Sequence, residues 1–153
     1  MVCSSVLFAV SVSAQNLSST EKKIIKSIEA NNADAIGFLE QVVNINSGSL
    51  NVAGVKKVGD VFGTAFENIG METTWIPMPE EMNRAGHLFA ETNGKKGKKL
   101  LLIGHLDTVF EEDSLFQTFT KINDSLAHAP GGNDMKGGNG IIRYELKAIQ
   151  EQG

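Results

Sequence analysis

The sequence predicts an α/β sandwich around a mixed sheet. Segments of helical and strand periodicity intermix along the chain. One segment, Leu100 to Gly104, is continuously apolar up to its closing glycine, the pattern of a strand covered on both faces. The composition agrees: 41% hydrophobic and 21% charged residues over 153 positions are those of an ordinary globular domain with length enough for a sizeable core.

The chain opens with a short apolar run, Val6 to Val12, and Val12-Ser13-Ala14 places small residues where a signal peptidase cuts. Met1 to Ala14 therefore reads as a secretory signal, although no Lys or Arg precedes the run, and the mature protein is expected to be secreted or periplasmic. A frayed N-terminus is the alternative. From Thr20 to Val43, Ile24, Ile25, Ile28, Ile36, Leu39, Val42 and Val43 recur at helical spacing, with a break near Asn31-Asn32. Asn46 to Ser49 is a turn. Val52, Val55, Val58, Phe62, Ala65 and Ile69 then mark an amphipathic helix ended by Gly70.

Three strands are predicted next: Thr73 to Ile76, stopped by Pro77; His87 to Glu91, which alternates; and Leu100 to Gly104. The basic segment Gly94 to Lys99 reads as a solvated hairpin turn between the last two. Leu115 to Ala127 resembles a strand pair around Asn123-Asp124, and a helix begins near Gly138 with Ile142, Leu146 and Ile149 on one face. No repeat or low-complexity linker divides the chain.

Charge and residue usage exclude several function classes. A net charge of -4 and a pI near 5.4 leave no basic patch for a phosphate backbone, so nucleic acid is not an expected partner. No segment approaches the ~20 apolar residues of a membrane span. Cys3, the single cysteine, would leave with the signal, so chemistry must come from oxygen and imidazole groups, with His87, His105 and His128 as the imidazoles.

The informative segment is Leu100-Leu-Leu-Ile-Gly-His105-Leu-Asp107-Thr-Val109, where an apolar strand runs into a histidine and an aspartate two residues apart. In extended backbone those two side chains point to the same side. A carboxylate beside an imidazole holds the ring's tautomer, the arrangement found behind metal-ligating histidines. A merely structural pair fits the spacing equally well. The second segment, Ala129-Pro-Gly-Gly-Asn-Asp134-Met-Lys-Gly137-Gly138, is a glycine-rich loop carrying one aspartate into the last helix. It lacks the Gly-Lys-Ser/Thr of a phosphate loop. An aspartate held there could bridge two cations through its two oxygens.

Together, His-x-Asp-x-Val after an apolar strand and Asp-x-Lys-Gly-Gly some thirty residues later resemble the signature of the zinc exopeptidases related to glutamate carboxypeptidase, aminoacylase, acetylornithine deacetylase and succinyl-diaminopimelate desuccinylase. The chain is most similar to the glutamate carboxypeptidase branch, through His105-Leu-Asp-Thr-Val-Phe110 and Asp134-Met-Lys-Gly-Gly-Asn139. Phe38 to Ser47 resembles the family's opening helix and turn, and His87-Leu-Phe-Ala90 the strand before the catalytic one. Ala129 departs from the glycine more often found at the start of the loop.

The resemblance implies a three-layer α/β/α sandwich with a mixed sheet, residues 15–153 forming the N-terminal portion of the catalytic domain. It implies a two-zinc site in which His105 ligates one zinc, Asp134 bridges both and Asp107 orients His105, with a non-proline cis peptide at Asp134-Met135. The implied activity is hydrolysis of the amide bond of a peptide or N-acyl amino acid with a free carboxylate, and the implied assembly of the full-length parent is a homodimer. The family's paired glutamates, further acidic ligand, final histidine and dimerisation domain have no counterpart in these residues, so the chain alone is expected to be incomplete and inactive. Glu111, Glu112 and Asp113 read as an ordinary acidic loop rather than as substitutes, and His87 and His128 as structural. A non-catalytic relative or remnant binding module is the rival from another class.

Overall fold

The structure, a computed structural model, describes residues 16–95 and 97–152. The expected signal and Cys3 lie outside the described residues. Helix α1 (Ser19–Ala30) starts with a reciprocal cap: the Ser18 hydroxyl accepts from the Glu21 N–H at 3.2 Å, and the Glu21 carboxylate accepts from the Ser18 N–H at 2.6 Å. The break predicted at Asn31-Asn32 is real. There the Asn31 side chain turns back to donate to the Ser27 carbonyl at 2.7 Å, and α2 (Asn32–Val43) sets off as a second helix. Helix α3 (Val52–Glu67) is N-capped by Asn51, whose side chain accepts from the Gly54 N–H, and it ends shortly before Gly70, where φ is +78°.

The apolar stripes of α2 and α3 make the core. Val42, Val58 and Phe62 are fully buried, with Phe38, Leu39, Ile45, Phe66, Leu88 and Leu106 packed around them. Phe38 meets Phe62 edge to face at 5.2 Å between ring centroids. Strands β1 (Glu72–Ile76) and β2 (His87–Glu91) pair antiparallel, Glu72 opposite Glu91 and Ile76 opposite His87, and alternate positions face α3. Strands β3 (Thr120–Asn123) and β4 (Leu126–His128) form a second small hairpin at the place expected. Helix α4 (Gly137–Gln150) packs against α1 and α2, and Lys147 donates to Asn31 Oδ1 at 2.6 Å.

One predicted element differs. Leu100 to Gly104 belongs to no strand ladder, and Leu100, Leu101 and Ile103 are 81%, 76% and 78% exposed. The described residues therefore form helices and two separate two-stranded antiparallel sheets, an α/β arrangement without the three layers or the mixed sheet expected. The physical reason is that continuous apolarity reports what a segment must bury, while pairing needs a neighbouring strand brought alongside it. Neither hairpin pairs an outer edge with it. The basic Gly94–Lys99 stretch accordingly does not close a hairpin, and its described lysines, Lys95, Lys98 and Lys99, are exposed. No helix among the described residues is long and apolar enough to cross a membrane.

Candidate metal centre

The segment after Leu100–Gly104 is fixed from two sides. On one side lies the Asn46–Leu50 turn, which meets it as a parallel bridge between Gly48 and Thr108. The Thr108 N–H donates to the Ser47 carbonyl at 2.8 Å, the Ser49 N–H to the Thr108 carbonyl at 3.1 Å, and the Ser47 hydroxyl to the Leu106 carbonyl at 3.0 Å. On the other side α4 contributes Asn139, whose side chain donates to the His105 carbonyl at 2.7 Å. Gly104 permits that approach, because a Cβ there would lie 2.1 Å from Asn139 Oδ1.

The loop before α4 carries Asp134 back to the same place. Gly131 turns it with φ at +71°, and the Asp134-Met135 peptide bond is cis, as the resemblance implies. The loop is tethered by Lys136, a buried residue whose ammonium donates to the carbonyls of Val42 and Ile45, each at 2.9 Å. Val42 lies in the last turn of α2, where carbonyls lack intrahelical donors and a cation is favoured. Burial pulls the Lys136 pKa down to about 8.

His105, Asp107 and Asp134 are thereby brought together. His105 Nδ1 lies 3.0 Å from the Asp107 carbonyl and 3.2 Å from its Oδ1, while Nε2 lies 2.9 Å from Asp134 Oδ1. Burial lowers the imidazole pKa, but the hydrogen bond to Asp134 and the carbonyl and charge of Asp107 outweigh it, leaving the pKa raised. A neutral ring with its proton on Nδ1, toward Asp107, would turn a bare Nε2 lone pair toward a carboxylate oxygen. Two acceptors facing each other so closely call for something electropositive between them, a proton or a cation. The triad opens into a cavity of about 380 Å³ lined also by Ser49, Phe110 and Phe116.

Among the described residues no three His, Cys, Asp or Glu side chains gather closely enough to hold a metal ion. His105 and Asp134 fit zinc as part of a site: one imidazole whose Nδ1 side is held by Asp107, and one carboxylate that is 83% exposed and open to further partners. The acidic run does not complete it. Glu111 accepts from the Leu50 N–H at 3.1 Å, Glu112 lies 3.3 Å from the Asn51 side-chain donor, and Asp113 is exposed. His87 is exposed at the start of β2, and His128 meets the Phe116 ring edge to face at 6.1 Å. Two residues that shape the site carry no role in the sequence reading. Asn139 closes the Asp-x-Lys-Gly-Gly motif, and Ser49, whose hydroxyl donates to Asp107 Oδ2, ends a turn legible only as a turn.

In sequence the chain is related to a carboxypeptidase. It is 31% identical over 123 residues to carboxypeptidase G2 from Pseudomonas sp. (strain RS-16), a match taking in 77% of this chain and 28% of the relative. The match thus spans 28% of the length of the curated relative. No family model matches it.

Proposed function

We propose that these residues form the N-terminal portion of the catalytic domain of a two-zinc peptidase or amidohydrolase of the glutamate carboxypeptidase branch. The observation that carries the reading is the convergence of His105 Nε2 and Asp134 Oδ1, 29 residues apart in sequence and 2.9 Å apart in space, with Asp107 behind the imidazole. The likeness to a carboxypeptidase over 77% of the chain supports it independently.

In this reading His105, through Nε2, and Asp134, through its carboxylate, would hold zinc, while Asp107 would keep the His105 proton on Nδ1 so that Nε2 stays available as a ligand. When bound, the zinc pair supplies a water of lowered pKa and a polarised scissile carbonyl. Lys136 holds the Asp134 loop to the end of α2, and Asn139 holds the His105 backbone to α4. The substrate class is a peptide or N-acyl amino acid with a free carboxylate, and a homodimer of the longer protein belongs to the same reading. Glu111 and Glu112 are engaged by the 46–51 turn, so no described carboxylate besides the triad is placed as general base. A polypeptide of these 153 residues should accordingly bind zinc weakly and turn over no substrate.

The test is a chimera in which the matched residues of this chain replace the corresponding part of carboxypeptidase G2, with peptide hydrolysis and zinc content read together. Hydrolysis abolished by Asp134→Ala supports the proposal. A folded, zinc-loaded chimera without hydrolysis would instead favour a non-catalytic relative.

A further inference from the structure

We infer that Ser49 is a positioning residue for His105, acting through Asp107; the inference rests on the metal-site reading above. Asp107 is a carboxylate with 37% of its side chain exposed, so burial alone does not fix it. Rotation about its last torsion is broad and roughly two-fold, and either oxygen could swing away from the ring. The Ser49 hydroxyl donates to Oδ2, which leaves Oδ1 facing His105 Nδ1 at 3.2 Å. One clamp sets the carboxylate, and its Oδ1 stands beside the Asp107 carbonyl, 3.0 Å from Nδ1, as the second acceptor that holds the ring.

Ser49 can do this because its backbone is itself fixed. Its N–H donates to the Thr108 carbonyl at 3.1 Å, next to the Gly48–Thr108 bridge, and the Leu50 N–H beside it donates to Glu111 at 3.1 Å. The hydroxyl has one proton and two acceptors in range. The Thr108 carbonyl stands at 3.4 Å and the Asp107 oxygen much nearer, so the proton goes to Asp107.

The consequence falls on the tautomer. In the neutral ring a single N–H is contested: on Nδ1 it donates to the Asp107 carbonyl with Oδ1 beside it, and on Nε2 it would donate to Asp134 and abolish the lone pair a metal needs. Ser49 tips that contest toward Nδ1 by keeping the Asp107 carboxylate in line.

The experiment uses the full 153-residue chain with Ser49→Ala and Ser49→Thr. Long-range 1H–15N spectra of the metal-free protein, with the His105 signals assigned from a His105→Ala variant, read the tautomer; competition with a chromophoric chelator reads zinc affinity; thermal melts monitor the fold. The expected result is a shift from Nδ1–H toward Nε2–H and about a tenfold weaker zinc affinity in Ser49→Ala, the low end for partners behind a ligand. Ser49→Thr, which keeps the hydroxyl, should restore both. A His105 spectrum and zinc affinity in Ser49→Ala matching the unsubstituted chain within twofold would overturn the inference, and so would Ser49→Thr failing to restore them in a chain that melts normally. If the unsubstituted chain takes up no zinc, the metal-site reading fails, and the metal-free tautomer alone still decides the role of Ser49. Should Ser49→Ala not fold, Ser49→Thr and Ser49→Cys decide it, the weaker thiol donor being expected to give an intermediate tautomer ratio.

Discussion

Replacing Lys136 with methionine removes a buried charge and two hydrogen bonds at once, and the two effects oppose each other. In the folded chain the ammonium donates to the Val42 and Ile45 carbonyls at 2.9 Å each, and leaving a buried acceptor without a donor costs about 1–3 kcal/mol. Against this, burial lowers the pKa from 10.5 to about 8, which at about 1.36 kcal/mol per pH unit means that charging this group costs roughly 3 kcal/mol at neutral pH. Lys136→Met should therefore change stability at pH 7 by about −1 to +3 kcal/mol of destabilisation, far less than the loss of two buried hydrogen bonds alone suggests.

The pH dependence separates the two effects. Below about pH 8 both the folded and unfolded chains hold the Lys136 proton, so stability does not vary on its account. Between about 8 and 10.5 the unfolded chain holds it and the folded chain does not, so stability rises with pH by up to roughly 3 kcal/mol. The neutral amine keeps two N–H donors, enough for both carbonyls. The assay is urea unfolding at a series of pH values. The stability of the unsubstituted chain minus that of Lys136→Met should climb from pH 8 to pH 10 and be flat below; a difference constant across that window would refute the reasoning.

Three further outcomes follow from the packing. Gly104→Ala puts a Cβ 2.1 Å from Asn139 Oδ1 and should cost about 1–3 kcal/mol in a thermal melt while freeing the His105 carbonyl from α4. Phe62→Ala empties the centre of the core and should cost about 3–5 kcal/mol by denaturant midpoint, the largest loss of any single truncation here. The exposed run Leu100 to Ile103 should bind a hydrophobic dye and drive association of the 153-residue chain. Leu101→Lys with Ile103→Lys should reduce both dye binding and the associated fraction in light scattering.

Local physics made much of the fold legible. The Asn31 break, the α3 stripe from Val55 to Phe62 and the β1 strand ended by Pro77 each follow from periodicity or a cap within a few residues. His105 and Asp107 are legible as a pair for the same reason, being two apart in sequence, and Asp134 stands out by its glycine-rich setting. What escaped is non-local. Lys136 reaches carbonyls more than 90 residues away, Ser49 reaches Asp107 across 58 residues, and Glu111 reaches Leu50 across 61. Each of these is a polar side chain whose own neighbourhood in sequence gives no hint of its partner. Leu100 to Gly104 escaped for a different reason: its pattern states a need for cover, and the described residues do not meet that need.

The most direct test of the central claim is a zinc titration of the 153-residue chain beside His105→Ala and Asp134→Ala, with circular dichroism to verify that all three are folded. Measurable binding by the unsubstituted chain and a loss of at least about tenfold in each variant are expected. Zinc bound equally by all three, or by none of them, would contradict the claim.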